Sequence, residues 1–362
     1  MKLFFDNIIF SLQRSGGISV YWFELMQRLK HRADVHYVNY PGTRYHIRVN
    51  DLGAFSYPGV KDFRLPIFLT RFLPFLTKLP AGSVFHSSYQ RVALQRDVVN
   101  ITTVHDLGYE LGNMRTGYRR TIHLFFKRLV VKRTDGFICV SANTRKDLLY
   151  FYPFIDPATV TVIHNGAGAA YRQLANIPAT DHLPGRYVLY VGGRDPYKNF
   201  EKAVKMVSLL PGYDLLIAGG KPLSPAEKLL LNVQMPGRYH ARTNLSDDEL
   251  SLLYNKAFCL LYPSSYEGFG IPVVEAMKCG CPVIVSNSSS LPEVAGESAI
   301  TINPLDISAG AAAIRSLEDP AFRATKIAAG IVQGAKFSWD TCAAQTLDFY
   351  HDIHTRKFGH HR

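Results

Sequence analysis

Two glutamates separated by seven residues bracket a turn in Glu267-Gly-Phe-Gly-Ile-Pro-Val-Val-Glu275. The glycines allow close backbone approach, and Ile271-Pro272 opens a helix, because proline suits a first helical turn. A helix start offers unpaired N–H groups and a partial positive charge, so this loop can receive a phosphate. Glu267 then stands at the loop beside a sugar carried by that phosphate. Glu275, one turn into the helix, can accept hydrogen bonds from ribose hydroxyls. Taken alone, the fragment fits equally well a plain turn with two solvent-facing glutamates.

A second loop, Gly192-Gly-Arg-Asp-Pro-Tyr-Lys-Asn199, follows a strand and runs into a helix. It brings Arg194 and Lys198 together, and such cations stabilise a departing diphosphate where other enzymes use a metal ion. Arginine suits bidentate contact with phosphate oxygens, whereas lysine supplies a point charge. A surface pair is the plain alternative. In the first half, Ser15-Gly16-Gly17-Ile18 precedes a helix with Ile18, Tyr21, Leu25 and Leu29 on one face. It falls short of the full dinucleotide fingerprint, G-x-G-x-x-G. Thr103-Val-His105-Asp106-Leu107 ends a strand, the place where doubly wound sheets collect ligands, so His105 is a site candidate. No partner ligands for a metal accompany it.

Short β-rich runs must hold these loops. In the first half they are Leu3–Phe5, Val35–Val38, Val84–His86, Asn100–Val104, Phe137–Val140 and Val160–Ile163. The second half has Tyr187–Val191, Asp214–Ala218, Phe258–Tyr262, Pro282–Val285 and Ala299–Ile302. Most are apolar on both faces and alternate with helical patterns, which predicts two doubly wound parallel α/β domains. Ser246-Asp-Asp-Glu249 reads as a capping box ahead of a helix, and Gly280 suits the position beyond the end of another. The stretch from about Asn165 to Arg186, rich in Gly, Ala and Pro, is the expected linker.

The length of 362 residues suits two domains. No leader-like N-terminal stretch and no apolar run of about 18 residues is present, so the protein is expected in the cytosol. Five cysteines without C-x-x-C spacing read as core thiols rather than disulfides or a zinc site. Residues 1–180 carry 23 Lys and Arg against 11 Asp and Glu, and residues 181–362 carry 18 of each. The basic half therefore suits an anionic partner: a membrane face, a diphosphate-bearing substrate or nucleic acid. Residues 63–78, from Phe63 to Lys78, combine Phe, Leu and Ile with Arg64, Arg71 and Lys78, a pattern for the membrane interface. Its alternative is a proline-bent core helix. Arg119, Arg120, Lys127, Arg128, Lys132 and Arg133 would extend the basic face.

In this order the motifs resemble the retaining glycosyltransferases of family 4, whose fold is GT-B. The likeness covers nearly the whole chain and includes Val140-Ser141 with Thr144, and Asn165-Gly166 after Val162-Ile163. It implies two Rossmann-like domains with an interdomain cleft and a C-terminal helix that crosses back to the first domain. The acceptor domain would span 1–170 with the helix 340–362, and the nucleotide-sugar domain 182–339. The resemblance assigns the donor diphosphate to Arg194 and Lys198, with Gly17 approaching the phosphates. It gives sugar and ribose to Glu267 and Glu275, sugar and phosphate to the backbone of Phe269, Gly270 and Ile271, and the transferred sugar to His105. His164 departs from the proline of many members. Retention without an obligatory metal or other cofactor is implied, with catalysis by His105, Glu267, Arg194 and Lys198.

The implied partners are a nucleotide sugar, a lipid-linked or oligosaccharide acceptor, and an anionic membrane surface at the inner face of the cytoplasmic membrane. No nucleic-acid-binding motif appears. General likeness to bacterial surface-polysaccharide mannosyltransferases favours GDP-mannose, with a UDP-sugar as the alternative. A sugar-nucleotide epimerase of similar shape and a non-catalytic binding module are the competing readings.

Overall fold

The computed structural model describes residues 1–14, 16–40, 46, 66–113, 117–177 and 183–359. Ser15 and residues 63–65 of the proposed interfacial segment, including Arg64, lie outside the described residues, as do 178–182 of the expected linker. The chain divides into two units, residues 1–165 with 339–362, and residues 166–338.

Strand-forming runs of the first unit are β1 (Leu3–Asp6), β2 (Val35–Val38), β3 (Ser83–Ser87), β4 (Val98–Val104), β5 (Gly136–Cys139) and β6 (Val160–Val162). Its helices up to the unit border are α1 (Ile9–Leu12), α2 (Gly17–Leu29), α3 (Ile67–Thr70), α4 (Tyr118–Val131) and α5 (Ala142–Phe151). The strands pair in parallel in the order β2-β1-β3-β4-β5-β6. The chain leaves β1 for one side and then crosses to β3 on the other, which makes the carboxyl ends of β1 and β3 the topological switch point.

The second unit contains β7 (Tyr187–Val191), β8 (Asp214–Ala218), β9 (Tyr239–Arg242), β10 (Cys259–Tyr262), β11 (Val283–Ser286) and β12 (Ile300–Ile302). Between and after them lie α6 (Phe200–Ser208), α7 (Pro225–Gln234), α8 (Asp247–Lys256), α9 (Ile271–Lys278), α10 (Leu291–Ala295), α11 (Ile307–Ser316) and α12 (Pro320–Ala335). All pairings are parallel, in the order β12-β11-β10-β7-β8-β9, so the switch point falls between β7 and β10. Burial drives this arrangement: Val188, Leu215, Ile217, Leu261 and Ile284 of the strands pack with Val204, Met206 and Ile314 of α6 and α11.

Local chemistry sets the helix ends. Ser246 and Glu249 form the expected capping box of α8, and Ser224 and Glu227 form another on α7. Gly280 takes φ +71°, a left-handed value suited to glycine after a helix. The first part of the expected linker belongs to the second unit: Tyr171 donates to Asp247 and Asn255 accepts from Leu174 N. The final helix, α13 (Trp339–Phe358), packs within the first unit. Arg28 meets Asp340 at 2.6 Å and Lys357 meets Asp135 at 2.8 Å. Gly136 lets α13 lie against the sheet, because a Cβ there would stand 2.7 Å from Ile353 Cγ1. All five cysteines are buried and free.

Candidate functional site

In the second unit, the loops that leave β7 and β10 at the switch point carry most of the sequence-derived residues. Asn199 ties them together. It adopts the left-handed conformation, φ +54°, which asparagine tolerates better than most residues. Its amide donates to Pro263 O at 2.8 Å and to Ser265 Oγ at 2.6 Å, and Ser265 N donates to Tyr197 O at 2.7 Å. The result is an ion pair at the strand ends: Lys198 Nζ lies 2.5 Å from Glu267 Oε1, with side chains 15% and 11% exposed. Tyr262, the last residue of β10, places its hydroxyl 3.4 Å from Lys198 Nζ, and the ammonium also lies near the rings of Tyr197 and Tyr262. Burial, and then the charge of Glu267, push the Tyr262 and Tyr190 hydroxyls well above their ordinary values, so both stay neutral.

The glutamate loop is pinned from the turn after β11. Ser289 Oγ accepts from Glu267 N at 2.8 Å and donates to Glu267 O at 2.7 Å. Ser290 Oγ faces Glu267 O at 2.9 Å and Phe269 O at 3.0 Å, one proton serving both. Ser289 holds φ +54°, a strained value for a residue with a side chain, and such strain often collects at functional sites. Gly270 then caps α9 at φ +101° without a side-chain acceptor for the first amides. Phe269 turns its ring into the core against Phe337, at 5.5 Å between centroids. Glu275 is largely buried and accepts from Tyr254 Oη at 2.9 Å.

Arg194 has other partners. Its Nε lies 2.7 Å from Glu227 Oε1, and its guanidinium donates to Lys221 O and Pro222 O ahead of α7. Burial opposes ionisation of Glu227, but hydrogen bonds from Ser224 and Arg194 outweigh it and hold the carboxyl below its usual range. The fold thus brings Lys198, Glu267 and the α9 terminus together, while Arg194 braces the neighbouring helix.

In the first unit, Gly17 opens α2 with empty space where a Cβ would stand. One turn later Tyr21 is fully buried, with its ring edge-on to His105 at 4.9 Å and its hydroxyl 3.1 Å from Thr103 Oγ1. Thr103 also meets His86 Nε2 at 2.9 Å, and His86 Nδ1 meets Tyr350 Oη of α13 at 2.5 Å. Burial pushes His105 down to about 4 and His86 to about 3, so both imidazoles are neutral near pH 7. Gly17 and His105 are therefore linked through α2. Among the described residues, no three His, Cys, Asp or Glu side chains gather as metal ligands.

Sequence reading did not single out Tyr262, Tyr254, Ser289, Ser290, Tyr21, Thr103 or His86 as site residues. Strand ends signal Tyr262 and Thr103. The serines carry no local signal, since they act through backbone atoms more than twenty residues away.

Two doubly wound units with these strand orders and site loops define the GT-B class of glycosyltransferase fold. Residues 15–169 match the model of "Glycosyltransferase Family 4", and residues 179–329 match "Glycosyl transferases group 1". The chain belongs to this glycosyltransferase family. It is 37% identical over 172 residues to O-antigen chain mannosyltransferase B of Escherichia coli, covering 45% of each chain. It is 29% identical over 285 residues to the serotype-specific mannosyltransferase WbdA of the same organism, covering 73% of this chain and 35% of that one. The matched stretches thus span less than half the length of these relatives. Sucrose-phosphate synthase from Thermosynechococcus elongatus has a similar fold, with a TM-score of 0.75 at 20% identity over 98% of this chain and 99% of that one.

Proposed function

We propose that this protein is a retaining hexosyltransferase that moves a sugar, mannose from GDP-mannose, onto a lipid-linked or oligosaccharide acceptor in surface-polysaccharide synthesis. The observation that carries the reading is the Lys198–Glu267 pair at the β7/β10 switch point, with Glu267 on the loop that leads into α9, whose cap Gly270 offers no side chain to the first amides. The likeness to O-antigen mannosyltransferases supports mannose as the sugar. A UDP-sugar is the alternative donor.

In this reading the diphosphate rests against the first amides of α9 and Lys198, with Arg194 completing its surroundings in the second unit. Glu267 takes hydroxyls of the donor sugar, and Glu275 takes the ribose. As the bond from the anomeric carbon to the diphosphate oxygen breaks, charge grows on the diphosphate, and Lys198, Arg194 and the helix terminus offset it. The same diphosphate oxygen accepts the proton of the acceptor hydroxyl, whose oxygen bonds to that face of the carbon. Neutral His105 can hydrogen-bond the transferred sugar. The first unit takes the acceptor, and its basic surface rests on anionic lipid at the inner face of the cytoplasmic membrane.

The test is turnover of radiolabelled GDP-mannose and a panel of UDP-sugars by the purified protein, with and without lipid-linked acceptor. Acceptor-dependent transfer with retained configuration is expected. Conversion of donor without acceptor favours an epimerase, and no turnover of any donor sinks the assignment. Activity is also expected to persist after exhaustive EDTA treatment. Loss that added manganese or magnesium restores would overturn the metal-independent part.

A further inference from the structure

Lys198 has an anionic partner within the chain itself. Glu267 Oε1 stands 2.5 Å from its ammonium, and the two side chains are only 11% and 15% exposed. Water screens such a pair poorly. Neither group is free to drift, because Ser289 and Ser290 clamp the backbone of Glu267, while Asn199 and the Tyr262 ring fix Lys198. A diphosphate that takes Lys198 must therefore displace a carboxylate or lie beside it. Intact donor carries about two negative charges there. The free nucleoside diphosphate left after transfer carries about one more, since the second ionisation of a terminal phosphate lies near pH 6.

We propose that Glu267 is a built-in anion that competes with the leaving nucleoside diphosphate for Lys198 and so hastens product release. This rests on the reading of the second unit as the donor site. The role is separate from the contact with the donor sugar, because free nucleoside diphosphate has no sugar for Glu267 to touch. Retaking Lys198 closes the cycle: the ion pair opens to admit the donor and re-forms as the product departs. The carboxylate thereby disfavours the more highly charged product over the intact donor.

The experiment measures GDP and UDP affinity by titration calorimetry for wild type, Glu267→Gln, Lys198→Met and the double variant, each checked for its melting transition. Glu267→Gln is expected to bind the nucleotide about fivefold to tenfold tighter, the scale of one competing charge removed from a poorly screened site. Lys198→Met binds more weakly, and in its background the gain from Glu267→Gln disappears. Glu267→Ala should give the same sign, should the amide variant fold poorly. Unchanged or weaker binding by both Glu267 variants, with Lys198→Met still weakened, overturns the proposal and leaves the donor site standing. Wild type that binds neither nucleotide, or Lys198→Met that binds like wild type, removes the donor-site reading and the proposal with it.

Discussion

A lysine that neutralises a departing diphosphate must be held where charge develops, yet remain able to change partner. In the proposed reaction that lysine is Lys198, which Glu267 and the loop around Asn199 hold in place. Lys198→Ala is expected to lower turnover by about 10²-fold to 10³-fold, the loss typical of a removed electrostatic group. Its melting transition should fall by a few degrees, because Glu267 loses a largely buried partner, and normal turnover at saturating donor would remove Lys198 from the mechanism. Arg194→Ala should also impair transfer and destabilise the fold. It leaves Glu227 and two carbonyls ahead of α7 without their donor, so the melting transition should fall by several degrees, in line with about 1–3 kcal/mol for a lost, largely buried partner. Tyr254→Phe removes the hydroxyl that orients Glu275. We expect a several-fold rise in donor KM with kcat little changed; a fall in kcat alone would mean that Glu275 does not hold the ribose. The sequence reading found the two glutamates and the two cations from their loops. It could not pair them, because Lys198 and Glu267 stand on loops after different strands, and Arg194 meets a helix-capping glutamate 33 residues away.

At the scale of elements, strands buried on both faces were easy to find because their apolar runs are nearly continuous, as in Tyr187–Val191 and Asp214–Ala218. The edge strand β9 escaped notice: Tyr239–Arg242 is half polar and only partly buried, as sheet edges tend to be. The polar network joining α2, β3, β4 and α13 was equally hidden, since His86 and Tyr350 are 264 residues apart. Its titration is now foreseeable. In the unfolded chain each histidine takes up a proton near pH 6.5, whereas in the fold protonation waits until about 3 for His86 and about 4 for His105. Across that interval the unfolded state binds more protons, so stability falls as pH drops below 6.5 and is unaffected by these groups above it. Each histidine contributes a slope of up to about 1.4 kcal/mol per pH unit. Urea midpoints between pH 7.5 and 4.5 measure this, and His86→Gln should flatten the acid limb. An acid limb as steep as that of wild type would rule out His86 as a source.

At the scale of the whole molecule, the excess positive charge lies in the first half of the sequence, and α4 combines it with exposed apolar surface. Tyr118, Ile122, Phe125 and Leu129 follow helical spacing along one stripe and are 70%, 44%, 61% and 45% exposed. Arg119, Arg128, Lys132 and Arg133 are also exposed, and neither α4 nor residues 66–96 contain an acidic residue. The described part of the interfacial segment divides in two. Phe68, Leu69 and Leu76 are exposed, whereas Phe75 is buried against Phe85. Phe72 meets Phe126 at 5.1 Å, so the exposed side chains of this segment and those of α4 flank a shared contact. Apolar side chains on such a face can enter the acyl boundary while cations meet headgroups, at about 1 kcal/mol per basic residue near anionic lipid. Among the described residues no helix is long and apolar enough to span a bilayer, so attachment through this part of the chain would be interfacial. Liposome flotation gives the test. The protein should float with anionic vesicles at low salt and not with zwitterionic ones, and Phe125→Glu combined with Arg128→Glu should leave most of it at the bottom of the gradient with its melting transition intact. Equal flotation of that variant would move the membrane contact away from α4. Failure of wild type to float with anionic vesicles would end the interfacial reading, and a lipid-linked acceptor would then have to reach the first unit without help from a docked surface.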